Sequence, residues 1–128
     1  MGLFEVNVTV ANPTAPERAT EISLLVDTGA TLSWLPRSLL NGLGVKPLSR
    51  SRFILADGSR IERETGLALF TLDGKTMGVP VAFAEPGEGS VLGATALETL
   101  GFAVDPVEKK LIPRDLYALS AIPPSESV

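Results

Sequence analysis

The stretch Leu25-Val26-Asp27-Thr28-Gly29-Ala30-Thr31 is an apolar run that stops abruptly at a carboxylate. Upstream, Thr20, Ile22, Leu24 and Val26 recur with the period of two that marks the inward face of a half-buried strand. Such a strand buries its body and delivers Asp27 at its end, in a partly desolvated position. Gly29 lets the backbone turn sharply where a side chain would clash, so neighbouring N–H groups can bond the carboxylate. Thr28 offers a hydroxyl to tie the loop down, and its β-branching stiffens χ1. The plainer alternative is an Asx-turn that closes the strand and carries no chemistry.

Outward from this stretch, the chain reads mostly as strands. Phe4, Val6, Val8 and Val10 alternate with polar residues, and Asn12-Pro13-Thr14-Ala15-Pro16 is a turn or loop. Leu32 to Leu35 is a short apolar stretch, and Pro36 is suited to be the first residue of a short helix that Gly42 and Gly44 close. Two hairpins follow. Phe53-Ile54-Leu55 and Arg60-Ile61-Glu62 flank Ala56-Asp57-Gly58-Ser59; Leu67 to Leu72 and Thr76 to Phe83 flank Asp73-Gly74. Pro80 puts its run at an edge or a bulge. After the loop Glu85-Pro86-Gly87-Glu88-Gly89, Val91-Leu92-Gly93 leads into a second short helix, Ala94 to Leu100, closed by Gly101. Phe102 to Val104 and Lys110 to Ile112 read as the last strands. A strand entering Gly93 and then a helix echoes the strand entering Asp27, which suggests two related halves.

The predicted architecture is mainly β: a single domain over residues 1–113, a closed β-barrel with one or two short helices. Residues 114–128 form a tail, partly mobile, that is polar and small from Ser120 onward. The chain has 128 residues, of which 45% are hydrophobic, enough for one core and too few for two ordinary lobes. It contains no cysteine and no histidine, which removes thiol and Ser–His chemistry and the usual zinc sites together. Hydrolytic chemistry is left to carboxylates, lysines or hydroxyls. A net charge of -4 offers nothing to nucleic acid or an anionic membrane. The N-terminus does not read as a signal peptide, and no stretch approaches the ~18 apolar residues of a membrane span. The expectation is a cytoplasmic protein with no metal and no cofactor. Glu85 and Glu88 read as solvated loop residues rather than calcium ligands. Trp34 reads as a core or interface aromatic in preference to a pocket residue; Phe53 and Ile54 suit either strand packing or a substrate contact.

Asp27-Thr28-Gly29-Ala30-Thr31 after an apolar strand, with Val91-Leu92-Gly93 leading into a helix, resembles the active-site elements of retropepsin-like aspartic proteases. Leu35-Pro36 fits that family's continuation, Val91 to Pro106 is similar to its bacterial members, and the resemblance spans roughly residues 3 to 113. It implies that Asp27 is the catalytic carboxylate, flanked by Thr28 and Gly29. Gly29 would position substrate backbone, with Ala30 beside it as a further substrate contact. It implies further that the hairpin tip Ala56, Asp57, Gly58 and Ser59 is a flap folding over an extended peptide.

The chemistry of that family needs two carboxylates sharing one proton, one to activate water and one to protonate the carbonyl oxygen. This chain has one Asp-[Ser/Thr]-Gly. Asp57 and Asp73 precede glycines and suit hairpin turns, Asp105 precedes Pro106, and Asp115 lies near the tail. A two-fold homodimer that brings Asp27 from each subunit to the axis is the economical solution, and the resemblance implies the same. Thr28 of each subunit would interlock across that axis. The expected function is an aspartic endopeptidase acting on peptide or protein substrates. The alternative is a catalytically inactive dimerisation or peptide-binding module of the same fold. Two departures motivate that alternative: Ala94 stands where retroviral members carry arginine, and Asp57 puts a charge in the flap tip.

Overall fold

In the computed structural model, which describes residues 4–120, the alternating hydrophobicity becomes strands and two short helices. Their order is β1 (Glu5–Asn12), β2 (Ala15–Val26), β3 (Ser33–Pro36), α1 (Arg37–Gly42), β4 (Ser49–Ile54), β5 (Arg60–Leu72), β6 (Lys75–Ala84), β7 (Val91–Leu92), α2 (Ala94–Leu100), β8 (Phe102–Asp105) and β9 (Lys110–Pro113). Seven of the strands form one sheet in the order β1-β2-β7-β3-β6-β5-β4, and β1 also pairs with β5. Strands β1, β2, β7, β3, β6 and β5 therefore close a ring, which is the barrel-like closure expected from sequence. β4 stands outside that ring, paired to β5, and β8 and β9 form a separate two-stranded sheet. Residues 114–120 follow β9 without regular structure, and the part of the expected tail from residue 121 lies outside the described residues.

The ring has an internal two-fold logic. Hairpin β1–β2 corresponds to hairpin β5–β6, β3 to β7, and α1 to α2. The parallel pair β2–β7 corresponds to the parallel pair β6–β3, while β3–β7 and β1–β5 are antiparallel pairs that map onto themselves. Two related halves are therefore present, but not in the correspondence read from sequence: the strand entering Gly93, β7, matches β3, and the strand entering Asp27, β2, matches β6. The core fills the ring from alternating positions. Val8, Val10, Leu24, Val26, Phe70, Val79, Val81 and Phe83 come from the strands, and Leu40, Leu97 and Leu100 close it from the helices. Each large side chain fully buried this way contributes about 1.5–3 kcal/mol relative to exposure.

Three boundaries differ from the sequence reading, each for a physical reason. Pro36 ends β3, paired with Ala84 at φ -56 and ψ 135, and the helix starts at Arg37. The two hairpins share one long strand, because β5 continues through the charged residues Arg63 and Glu64, whose side chains find ion-pair partners. The first turn is tighter than the proline spacing suggested: the side chain of Asn12 accepts bonds from the N–H and hydroxyl of Thr14, each at 2.9 Å, and β2 resumes at Ala15. Pro80 pairs with Leu67 on one side, and β3 joins β6 only from Val81 onward, so Pro80 sits where β6 is locally an edge.

Two features of packing fix the positions that matter later. At the first, the chain before α2 crosses the loop after β2 at Gly93. A Cβ there would lie 2.8 Å from the carbonyl oxygen of Ala30 and 2.6 Å from the carbonyl carbon of Leu32. Gly93 has φ -93 and ψ 178, which any residue adopts, so the requirement for glycine is purely steric. At the second, two ion-pair clasps join β5 to the loop after β6. Arg37 bonds Glu64 at 2.6 Å and Glu85 at 2.9 and 3.2 Å. Arg63 grips both carboxylate oxygens of Glu88, and Glu88 also accepts the backbone N–H of Glu85 at 2.8 Å. Glu85 and Glu88 are thus not the solvated loop residues expected from sequence. Hydrogen bonding from Arg37 holds the Glu85 carboxyl below the usual glutamate range, and hydrogen bonding from Arg63 does the same for Glu88.

Replacing Gly93 by Ala therefore forces backbone against backbone, and chemical denaturation is expected to show a loss of about 1–3 kcal/mol with little change in m-value. The clasps give a pH signature. Carboxyls depressed in the folded state add stability above the ordinary glutamate value of 4.5 and lose it as pH falls through their folded values. A Glu85→Gln/Glu88→Gln variant should melt below the wild type at neutral pH, and the gap should close in strong acid.

Candidate active site

Asp27 stands at the end of β2, half-buried, and its position is fixed from three directions. Its own N–H donates to the carbonyl of Leu92 on the neighbouring β7 at 3.0 Å. Its carboxylate Oδ1 accepts the N–H of Gly29 at 2.9 Å, and its carbonyl accepts the N–H of Ala30 at 3.2 Å. The loop then rests against the start of α2. Ala94 N–H donates to the Ala30 carbonyl at 2.7 Å, and Thr95 N–H donates to the Thr31 carbonyl at 3.0 Å. The fully buried hydroxyl of Ser33 accepts the N–H of Gly93 at 3.0 Å. A carboxylate held by a backbone amide on a loop with this many anchors is pre-oriented, with little freedom left to lose on binding.

A cleft of about 840 Å³ opens beside this loop. Asp27, Gly29 and Ala30 form one side of its lining, Trp34 and Val91 contribute from β3 and β7, and the segment Phe53 to Ala56 with Ile61 contributes from the β4–β5 arm. The lining is mostly apolar. Glu88 also borders it, but its carboxylate is engaged by Arg63. Among the described residues no group of three or more potential metal ligands is assembled.

The expected site residues divide into two sets. Asp27, Gly29, Ala30 and Ala56 share the cleft. Thr28 is exposed at the loop's tip, and among the described residues its hydroxyl makes no hydrogen bond within the chain, so the tying-down expected of Thr28 is done by Ser33. Asp57, Gly58 and Ser59 form the tip of the β4–β5 arm and do not line the cleft. Gly58 there takes a left-handed φ of +86, and its N–H donates to the Leu55 carbonyl at 2.9 Å. The Asp57 carboxylate accepts the Ser59 hydroxyl at 2.6 Å and the Ser59 N–H at 2.9 Å, and these bonds keep it below the usual aspartate range. The charge at the tip is therefore spent on closing its own turn. Two contributors were missed by sequence reasoning. Ser33 could have been noticed as a lone hydroxyl inside the apolar stretch Leu32 to Leu35. Trp34, read as a core or interface aromatic in preference to a pocket residue, is half-buried and lines the cleft.

Residues 6–106 match the model of a family described as aspartyl protease. No curated protein matches the chain. Among solved structures, the chain is similar to EIAV protease complexed with the inhibitor HBY-793, at 22% identity and a TM-score of 0.58, covering 76% of this chain and 86% of that one. It is also similar to the foamy viral protease-reverse transcriptase in complex with an RNA/DNA hybrid, at 15% identity and a TM-score of 0.53. A third likeness is to the native prototype foamy virus protease-reverse transcriptase, at 15% identity and a TM-score of 0.51. These two matches cover 96% and 99% of this chain and 14% of each of the others. At such identities the structural likeness concerns the fold, and the family match over most of the chain concerns membership: the chain belongs to the aspartyl protease family, as an aspartic-type endopeptidase of retropepsin-like fold.

Proposed function

We propose that the chain hydrolyses peptide bonds as a homodimer in which Asp27 of each subunit supplies one carboxylate of a shared pair. The observation that carries this reading is the state of the acidic groups around the cleft. Asp27 faces it with a single amide bond to Oδ1, whereas Glu88 is bonded to Arg63 and Asp57 to Ser59. Within one chain no second free carboxylate is available at the cleft among the described residues, so the partner required by the chemistry comes from a second copy. The exposure of Thr28 and its unused hydroxyl suit an interlocking contact across the same axis. A peptide or protein segment would lie extended between the Asp27 loops and the two arms, with Ala56 to Ser59 as flap tips. The cytoplasmic site of action expected from sequence belongs to the same proposal; no helix among the described residues is long and apolar enough to cross a membrane.

The chemistry follows from two like charges held close, which cannot both ionise cheaply. This shared-proton behaviour of aspartic proteases is a standard worked case. The ionised Asp27 takes a proton from water as the water oxygen bonds to the carbonyl carbon. The protonated Asp27 of the other subunit gives its proton to the carbonyl oxygen. The resulting gem-diol collapses, its C–N bond breaks, and the amine leaves with a proton returned through the pair. Gly29 and the apolar cleft position the backbone of the extended substrate.

The non-catalytic reading drew on the charged flap tip and on Ala94. The first support weakens because Asp57 is turned into its own hairpin. Asp27→Asn should keep the fold and the dimer, and should lower kcat on an unstructured peptide library by at least about 10²-fold. Retained biological activity in that variant would favour the binding module. The wild type should show a bell-shaped pH profile with an acidic to near-neutral optimum, and a flat profile through alkaline pH would contradict the shared proton.

A further inference from the structure

The β4–β5 arm leaves the closed ring at one residue. Thr65 pairs with Ser49 of β4 on one side and with Ala82 of β6 on the other. From Glu64 out to Arg60, β5 pairs with β4 alone. A two-stranded ribbon is marginal by itself, and its ladder fixes no angle to the body it leaves. The departure point is tightly packed: a Cβ on Gly66 would lie 3.0 Å from the Lys46 carbonyl oxygen and 3.1 Å from the Phe83 ring. The first two residues beyond it, Arg63 and Glu64, are neighbours on a strand, so their side chains leave from opposite faces. Each is gripped there. Glu64 accepts Arg37 at 2.6 Å, while Arg37 holds both carboxylate oxygens of Glu85 and lies 5.2 Å over the Phe83 ring. Arg63 forks onto Glu88, with its Nε 3.1 Å from Oε1. Glu85 and Glu88 belong to one loop and are bonded to each other. The Glu85 N–H donates to the Glu88 carboxylate at 2.8 Å, and the Glu88 N–H donates to the Glu85 carbonyl at 3.0 Å. The arm is thus clamped on both faces just where it leaves the ring.

We propose that Arg63 and Glu64 are positioning residues that fix the angle of the β4–β5 arm over the cleft, so that the arm is in place before an extended peptide arrives. The inference rests on the reading of this cleft as the peptide-binding site. Neither side chain needs to touch the peptide. A small rotation at Thr65 is carried outward along the arm, which brings Phe53 against Trp34 of β3 with ring centroids 4.9 Å apart. Exposed ion pairs contribute little, because two long side chains must be ordered to make them. Here the forked geometry, partial burial and shared partners supply that order. An arm already held in place loses less freedom on binding than a swinging one, and the gain appears as tighter binding rather than faster chemistry.

Trp34 is the only tryptophan of the chain, and it reports the arm's position because Phe53 of the arm meets its indole. Acrylamide quenching of its emission is measured on the peptide-free protein for the wild type, Arg63→Gln, Glu64→Gln and the exchanged pair Arg63→Glu/Glu88→Arg. Phe53→Ala gives the uncovered reference, and melting curves show which variants are folded. KM and kcat are measured for the same proteins on one peptide that the wild type cuts. Both single variants should move quenching toward the Phe53→Ala value, raise KM by at least about threefold and leave kcat within about twofold. The exchanged pair should recover most of both changes. Folded single variants with wild-type quenching, or with wild-type KM, overturn the inference and leave the peptidase reading intact. If the wild type cuts nothing, quenching that rises in the single variants and falls back in the exchanged pair upholds the clamp and removes the peptidase reading.

Discussion

The close crossing of two chain segments at Gly93 is the constraint on which the rest of the molecule depends. Backbone carbonyls of Ala30 and Leu32 approach so near that no side chain fits between them and the start of α2. That approach allows Gly93, Ala94 and Thr95 to donate their amides to Ser33, Ala30 and Thr31 in succession. Helix starts leave several N–H groups without intrahelical partners, and here those groups are used to hold the loop that carries Asp27. One set of otherwise orphaned donors thus serves both helix capping and the positioning of the carboxylate. The same crossing lets β7 slip between β2 and β3, which closes the ring and seals the core.

The two halves produced by the internal two-fold have diverged in a functionally telling way. After β2 the chain presents Asp27, with one amide bond to its Oδ1 and an opening into an apolar cleft. At the matching place after β6 it presents Glu85 to Glu88, whose carboxylates are locked to Arg37 and Arg63. One acidic loop is left available for chemistry, and the other has become a structural clasp that steadies the β4–β5 arm. Because arginine remains charged at all accessible pH and holds these carboxyls below their usual range, the clasp persists into acid. That is the range in which a shared-proton carboxylate pair operates.

Much of this was legible in the sequence. Alternation along Phe4 to Val10 and Thr20 to Val26, the Asp73-Gly74 turn, and the glycine after Val91-Leu92 each mark local backbone demands, and local demands are written in local residues. Asp73 and Gly74 both take positive φ, as a two-residue hairpin turn requires. The features that escaped are those decided by distant partners. Glu85 and Glu88 look solvated until β5 places Arg63 beside them and α1 brings Arg37. The strand character of residues 63–66 comes from pairing with β4 on one side and β6 on the other, partners that are distant in sequence or unmarked by local pattern. Trp34 looks like core because its hydrophobicity says nothing about which side of a ring it faces, and Ser33 has meaning only once Gly93 arrives. Asp57 was legible as a hairpin-turn residue, but that its carboxylate is taken up by Ser59 two residues on shows only in the turn geometry.

The central claim is that a working site contains Asp27 from two chains, and mixing subunits tests it most directly. Wild-type and Asp27→Asn chains, combined in equal amounts and allowed to exchange, are assayed at constant total concentration. If each site needs both carboxylates, random pairing leaves about one quarter of the dimers fully wild type, and activity falls to about that fraction of an all-wild-type sample. Activity that stays at about one half would mean that each chain works alone with its own Asp27 and would contradict the shared site.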